Sequence, residues 1–162
     1  MTDERLGEGL WNALQRLPRG GGVVFRHYAT PAAERRRLFA RVVRIARRRR
    51  LVVVRAGAWC GAGADGVHNQ RGQGLRTASA HTLAEARTAM LQGADAVFVS
   101  PVFATRSHPG GAVLGVRGAE RVARGVRVPV VALGGMDAAR FRRLRGFYGW
   151  AAIDAWGSDR AS

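Results

Sequence analysis

The sequence contains no lysine, because all 27 of its basic residues are arginine. Without lysine the chain cannot form a Schiff base, and no lysine ammonium can bind a phosphate group. Acidic residues are also few: 11 Asp and Glu against 27 Arg give a formal net charge of +16. Two explanations stay open, namely attraction to polyanions and the codon bias of a GC-rich genome, which favours Arg, Ala and Gly together.

Cysteine and long apolar runs are scarce as well. Cys60 is the only cysteine, which excludes an internal disulfide and a metal site made of cysteines alone. No two histidines have metal-ligand spacing and no carboxylates are paired, so zinc is not expected. No apolar run approaches about 18 residues, and the polar, acidic start is unlike a signal peptide. We therefore expect a cytoplasmic protein without a membrane span.

Short, continuous apolar runs at 23–25, 51–54, 96–99 and 130–133 predict parallel strands that are covered on both faces. Three weaker strand candidates, which are not such runs, lie at 64–68, 74–79 and 150–154. About five helices are predicted near 4–16, 31–49, 82–93, 116–124 and 137–145. Alternating strands and helices indicate an α/β fold and a single domain over 1–162. Seven strands are awkward for an open sheet and one short of a (βα)8 barrel.

Helix ends are marked by capping residues. Thr30 is predicted to cap a helix whose first residue is Pro31. Thr82 and Glu85 have the spacing of a capping box. Asp137 is predicted to begin the last helix.

Two glycine-rich segments are candidates for phosphate binding. The segment 61–66 matches GxGxxG, but a strand rather than a helix follows it, so we do not interpret it as a dinucleotide site. Gly134 and Gly135 follow a predicted strand and precede a helix. Backbone N–H groups at such a turn can bind phosphate, although an ordinary tight turn explains the two glycines equally well.

A long polar loop follows the predicted strand at 96–99. It offers hydroxyl, guanidinium and imidazole groups that suit a phosphate or a pyrophosphate, on Thr105, Arg106, Ser107 and His108. His81 follows another strand, at the edge where barrel enzymes hold catalytic residues.

Four motifs occur in an order typical of one enzyme family. The segment 93–105 (GADAVFVSPVFAT) resembles the loop Gly-Pro-Val-Phe-x-Thr-x-Thr-Lys of the thiamine phosphate synthase family. GADGVH at 63–68, SAHT at 79–82 and PVVALGG at 129–135 resemble three further motifs, so the resemblance spans 20–156. It implies a compact (βα)8 TIM-type barrel that lacks most of its first strand and its last helix.

The resemblance also implies a reaction. The family joins hydroxymethylpyrimidine diphosphate to a thiazole phosphate with Mg²⁺ and releases pyrophosphate. Its small phosphorylated precursors are therefore the expected partners of this chain. Arg26, Ser79 and the segment 105–108 correspond to positions that face pyrophosphate, and Gly134 and Gly135 to positions that face the thiazole phosphate.

Several family positions are altered. Ser107 and His108 replace a threonine and a lysine, and Asp154 places a carboxylate where the family has a serine hydroxyl near phosphate. The two acidic Mg²⁺ ligands are missing, because their positions fall at Arg55-Ala56 and within 69–73. We expect reduced activity and a partial replacement of the lost positive charge. The candidates for that replacement are Arg26, Arg55, Arg106 and His108.

The start of the chain also departs from the family. Met1-Thr2-Asp3 resembles the tail of the family's first strand. The resemblance therefore predicts a few apolar residues upstream of Met1.

Three other functions stay open. The first is a thiazole tautomerase-like isomerase that uses His81 as acid and base, as a sister branch of the family does. The second is a non-catalytic protein that binds a thiamine precursor. The third is a nucleic-acid binder, which only the charge of +16 favours. A homo-oligomer is compatible with each of them.

Overall fold

The computed structural model describes residues 1–59, 61–105 and 110–156, with Asp154 described by its backbone alone. The chain forms two compact units. The first unit consists of Met1–Leu75 with the segment from Ile153 onwards, and the second consists of Arg76–Ala152. A single domain over 1–162 stays a prediction.

Seven strands lie within the described ranges, and each overlaps a predicted segment. They are β1 (Gly22–Phe25), β2 (Val52–Ala56), β3 (Gly66–His68), β4 (Leu75–Ala80), β5 (Ala96–Val99), β6 (Val130–Ala132) and β7 (Gly149–Trp150). In the first unit β1 pairs with β2 and β2 pairs with β3, both in parallel. In the second unit β4 to β7 pair successively, again in parallel. The four continuous apolar runs therefore predicted β1, β2, β5 and β6, and the three weaker candidates overlap β3, β4 and β7.

Helices connect the strands. They are α1 (Gly9–Arg16), α2 (Ala32–Arg49), α3 (Leu83–Leu91), α4 (Gly115–Arg124) and α5 (Ala138–Phe141), with short 3-10 turns at Glu4–Leu6 and Asp154–Trp156. In the described part of the chain, none of these helices is both long and apolar enough to cross a membrane.

Two predicted caps are confirmed and one is wrong. The Thr82 hydroxyl accepts a hydrogen bond from the Glu85 backbone N–H, and the Asp137 carboxylate accepts one from the Arg140 N–H. Thr30 does not cap α2, whose N-cap is Pro31 without a side-chain hydrogen bond. The Thr30 hydroxyl instead donates a hydrogen bond to the carboxylate of Glu4, which lies in the 3-10 turn before α1.

Two predicted helices are shorter than expected. The helix predicted over 4–16 is interrupted at Gly7, which has a φ of 48° and separates a 3-10 turn from α1. The helix predicted over 137–145 ends at Phe141. Gly146, with a φ of 78°, lies in the connection to β7.

Each unit has its own apolar core. In the first unit Phe25 of β1 packs against Phe39 of α2 with 5.1 Å between ring centres, and the Trp59 ring contacts both. In the second unit small residues fill the space between strands and helices, and Val97, Val99 and Val102 are fully buried.

Thr2 lies beside β1 and is 2% exposed. Its backbone N–H donates to the Val24 carbonyl at 2.8 Å, and its hydroxyl accepts from the Arg26 backbone N–H at 3.0 Å. The segment that resembles a strand tail therefore pairs with the first strand of the described sheet.

A Gly-Ala-Asp sequence precedes both β3 and β5, and its aspartate has the same role in each unit. Asp65 accepts the Val53 backbone N–H on a carboxylate oxygen at 2.7 Å and donates its own N–H to the Val53 carbonyl. Asp95 makes the same two bonds with Arg76, each at 2.7 Å. These aspartates fix the register between successive strands at their amino-terminal ends.

The role of Asp65 predicts a stability difference between two variants. Asp65→Ala leaves the N–H of buried Val53 without its acceptor and is expected to cost about 1–3 kcal/mol of unfolding free energy. Asp65→Asn keeps an acceptor oxygen and loses only the partly exposed ion pair with Arg47, so its cost is expected to stay under about 1 kcal/mol. Urea denaturation measures both. Equal losses in the two variants would contradict the assigned hydrogen bond.

Candidate functional site

Arg26 directly follows β1, where the carboxyl end of the strand places it. Its guanidinium carbon lies 5.9 Å from the centre of the Tyr28 ring, and its Nη1 lies 3.6 Å from the Met1 sulfur. Within the described ranges it forms no ion pair with a carboxylate. Arg26 therefore supplies positive charge that no acid of the described chain neutralises by contact.

Two histidines also end strands of the first unit, and both are buried. His27 Nδ1 lies 3.0 Å from the Thr2 hydroxyl, and its ring stacks on Phe25 with 4.7 Å between centres. Burial lowers the pKa of His27 below its ordinary value. These contacts are those of a structural histidine.

His68 ends β3 and is 2% exposed. Burial, followed by the charges of Arg26 and of the chain's amino terminus, lowers the pKa of His68 to about 4. Its imidazole is therefore neutral at pH 7. The sequence motif Gly-Val-His marked this residue, but only the fold shows that it lies in the positive field of Arg26.

Arg55 lies near the position where the family resemblance would place an Asn-Asp pair. It lies in β2, in register with Phe25 of β1, and its guanidinium donates to the Trp59 carbonyl at 2.5 Å. The next residue, Ala56, has no functional group. The carboxyl end of β2 therefore presents a cation where the family has magnesium ligands.

Magnesium is held by carboxylate and other oxygen ligands. Among the residues that the structure describes, no three His, Cys, Asp or Glu side chains come together to hold a metal ion. An arginine stands at one expected ligand position, and the segment 69–73 contains no acid. The described residues therefore do not fit the magnesium ion that the family resemblance implies.

In the second unit, His81 directly follows β4 and is exposed. Its Nδ1 lies 2.7 Å from the Ser100 carbonyl oxygen, and its backbone N–H donates to Glu85. A carbonyl can only accept, so Nδ1 carries the proton in this bond. In the neutral ring, Nε2 then has a free lone pair that is suited to accept a proton.

The turn at Gly134 and Gly135 packs against the segment that follows β5. A Cβ on Gly134 would lie 2.7 Å from the Pro101 Cα, and one on Gly135 would lie 2.4 Å from the Ala104 carbonyl oxygen. Both glycines have positive φ, at 92° and 60°. The close approach of these two loops therefore requires glycine at both positions, whether or not phosphate binds there.

Hydrogen bonds hold the two loops together. The Val102 backbone N–H donates to the Leu133 carbonyl at 2.9 Å, and the Phe103 N–H donates to the Gly134 carbonyl at 3.1 Å. The Arg140 guanidinium donates to the Gly135 carbonyl and lies 5.2 Å from the centre of the Phe103 ring. Two segments that the sequence placed in different motifs are thus one structural element.

The remaining predicted site residues are described to different extents. Ser79 lies in β4, in register with Phe98 of β5, and Thr105 follows the segment that contacts the glycine turn. Arg106, Ser107 and His108 lie outside the described residues, as does the side chain of Asp154. Of the candidates with described side chains, Arg26 belongs to the first unit and the others to the second.

The GxGxxG match at 61–66 does not open a helix. Its described residues form turns, and Gly66 begins β3. A dinucleotide fingerprint needs a helix directly after the glycines, so the structure confirms that this match is not one.

Burial of His68 predicts that acid destabilises the first unit. The pKa of His68 is about 4 in the folded chain against 6.5 for an unperturbed histidine, so the unfolded chain binds the proton first. The unfolding free energy should fall by about 3 kcal/mol as pH drops from 7 towards 4.

The His68 contribution is read as the difference between the chain and its His68→Gln variant, because every other titrating group is common to both. We expect the variant to be less stable at pH 7 and to lose clearly less stability on acidification. Urea denaturation at several pH values measures this. Parallel pH profiles for the chain and the variant would show that His68 is not held neutral by the fold.

Solved structures show the fold class of the chain. It superposes on a thiamine phosphate pyrophosphorylase from Pyrococcus furiosus with a TM-score of 0.80 and 25% sequence identity. The match covers 98% of this chain and 86% of that one. The predicted α/β fold of the (βα)8 TIM type is confirmed, and the described residues contribute seven of its strands.

Sequence comparisons also match proteins that are named thiamine-phosphate synthases. The chain is 41% identical to a thiamine-phosphate synthase from Chloroflexus aurantiacus over 69 residues, which are 42% of this chain and 32% of that protein. It is 35% identical to one from Pyrococcus horikoshii over 80 residues, which are 48% of this chain and 39% of that protein. The matched stretch therefore spans less than half the length of these curated relatives.

The family model described as thiamine monophosphate synthase matches residues 2–155, almost the whole chain. The matched range includes the glycine turn, the segment after β5 that packs against it, the histidine after β4 and the arginine after β1. The chain belongs to the thiamine monophosphate synthase family.

Proposed function

We propose that this chain forms thiamine phosphate from hydroxymethylpyrimidine diphosphate and a thiazole phosphate and releases pyrophosphate. The observation that carries the proposal is family membership over 2–155. The packing of the glycine turn on the segment after β5 is consistent with it, because these are two motifs that resemble those of the family. The proposed place of action is the cytoplasm.

The proposed roles of the residues follow from the family motifs that they match. Arg26, Ser79 and Thr105 face the pyrophosphate, together with Arg106, Ser107 and His108. Gly134 and Gly135 offer backbone N–H groups to the thiazole phosphate. Positive charge lowers the barrier because it neutralises the departing pyrophosphate. Asp154 opposes phosphate binding at its position, and this is one reason to propose reduced activity.

A second candidate function is favoured by His81. Its Nδ1–H is fixed by the Ser100 carbonyl, which leaves Nε2 of the neutral ring as a base. A thiazole tautomerase-like isomerase needs one such acid and base, and it needs neither magnesium nor lysine. A binding protein for a thiamine precursor is the non-catalytic alternative.

The proposed synthase function predicts product formation from the two phosphorylated precursors, followed by chromatography. Arg26→Gln is expected to lower kcat/KM by about 100-fold or more, since it removes a charge that stabilises the leaving group. Arg44→Gln is the matched control, because it removes the same charge from the exposed face of α2 and is expected to leave the rate nearly unchanged.

Absence of product, with the thiazole phosphate still bound, would contradict the synthase function. The isomerase is then tested with its own substrate, and His81→Ala should abolish its turnover. Unchanged turnover in His81→Ala would exclude the isomerase role as well. Binding without either turnover would leave the binding protein.

A further inference from the structure

Helix α2 is much richer in arginine than the chain as a whole. Eight of its 18 residues are arginine, whereas the 27 arginines among 162 residues, one in six, would give three in a helix of that length. A codon bias acts on the whole sequence alike, so it does not explain this concentration. The arginines of α2 therefore need an explanation of their own.

One face of α2 belongs to the core of the first unit, and the opposite face is exposed. Phe39, Val42 and Ala46 are buried in the apolar core of that unit. The exposed positions of the helix hold alanine, glutamate and arginine alone. Six arginines are exposed, namely Arg36, Arg37, Arg41, Arg44, Arg47 and Arg48. The side chains that hold α2 in the fold are thus separate from those that meet solvent.

Four of the exposed arginines follow one line along the helix, at positions i, i+4, i+7 and i+11. They are Arg37, Arg41, Arg44 and Arg48, and we call them the arginine row. Residues at this spacing lie on the same face of a helix. With a rise of 1.5 Å per residue, the row is about 16 Å long. It can therefore present four guanidinium groups to one extended partner.

No carboxylate with a described side chain forms an ion pair with the arginine row. Glu34, the only acid of α2, pairs with none of these arginines, and Asp65 pairs with Arg47, which is outside the row. Arg41 lies 3.7 Å from the centre of the Trp11 ring, which orients the guanidinium without cancelling its charge. The described chain therefore leaves the charge of the row without a counter-ion.

The arginine row does not stabilise the helix that carries it. Like charges three or four residues apart on a helix repel each other, and each neighbouring pair in the row has this spacing. Basic residues are favourable in the last turn of a helix because of its dipole, which accounts for Arg48 but not for the other three. A partner with negative charge would relieve the repulsion.

The exposed face of α2 favours a nucleic acid over a lipid surface. A helix that binds a membrane surface inserts large apolar side chains between the headgroups, and the exposed apolar residues of α2 are all alanine. One strand of a duplex carries a phosphate about every 3.4 Å along the axis, so a row of about 16 Å spans about five phosphates. The forked donors of guanidinium groups match phosphate oxygens.

We propose that the arginine row of α2 binds the phosphate backbone of a nucleic-acid duplex. Contacts to phosphate carry no sequence information, so the affinity is the same for duplexes of different base sequence. The inference goes beyond the proposed function and does not rest on it, because the candidate site contains none of the four arginines.

The test is a titration of a short, fluorescently labelled DNA duplex with the whole chain, followed by anisotropy at several salt concentrations. The row variant combines Arg37→Gln, Arg44→Gln and Arg48→Gln, and leaves Arg41 on the Trp11 ring. It should bind about tenfold or more weakly at moderate salt. Its slope of log K against log salt should be smaller by about 3, since each lost phosphate contact removes about 0.9.

The matched control combines Arg142→Gln, Arg143→Gln and Arg145→Gln, which removes the same charge from exposed positions of the second unit. Its affinity should change less than about threefold, with the salt slope unchanged. Glutamine is a good helix former, and circular dichroism checks that each variant is folded. The melting temperature of the row variant should be equal or higher, because the repulsion within α2 is lost.

Three results would overturn the proposal. Equal weakening in the two triple variants would mean that net charge alone attracts the duplex. The second is an unaltered chain that does not bind the duplex at moderate salt. The third comes from sedimentation with phosphatidylserine vesicles: vesicle binding that the row variant loses, with duplex binding unchanged, would assign the row to a lipid surface. Product formation by the row variant should match that of the unaltered chain, so the proposed function is tested separately.

Discussion

The scarcity of carboxylates constrains the whole molecule, because the few that are present bind backbone N–H groups. Among the acidic side chains that the structure describes, seven accept such a bond: Asp3, Glu4, Asp65, Glu85, Asp95, Glu120 and Asp137. They fix strand register, helix starts and loops in both units. A chain with 11 acids against 27 arginines has few others to supply to a metal site. The charge imbalance of the sequence therefore also limits how many acidic ligands its candidate site can offer.

The shortage of acids changes how the site can neutralise the charge of a diphosphate. A magnesium ion brings two positive charges to a diphosphate but needs acidic ligands to hold it. Here the carboxyl ends of β1 and β2 present Arg26 and Arg55, and no acid within the described residues pairs with either. Guanidinium groups stay charged at every accessible pH and carry several donors. Under the proposed synthase function, Arg26 supplies part of the positive charge that neutralises the departing pyrophosphate.

Much of the fold was predictable because parallel strands buried on both faces leave continuous apolar runs, as Val97 and Val99 show. The glycine turn was predictable from its motif, but its contact with Pro101 was not, since it joins two segments that are distant in the sequence. The contact between Arg35 and the Trp59 ring was not predictable either, because Arg35 lies in another element, α2. Thr30 was misassigned because local rules prefer it as a cap, whereas a tertiary hydrogen bond engages its hydroxyl.

The most direct test of the central claim is a crystal structure of the chain grown with pyrophosphate and Mn²⁺, with anomalous data collected at the manganese edge. Manganese takes the same oxygen ligands as magnesium and is visible by its anomalous signal. The account predicts pyrophosphate oxygens within hydrogen-bond distance of Arg26 and no manganese peak on the diphosphate. A manganese ion that bridges the two phosphates, with the Arg26 guanidinium turned away, would contradict it.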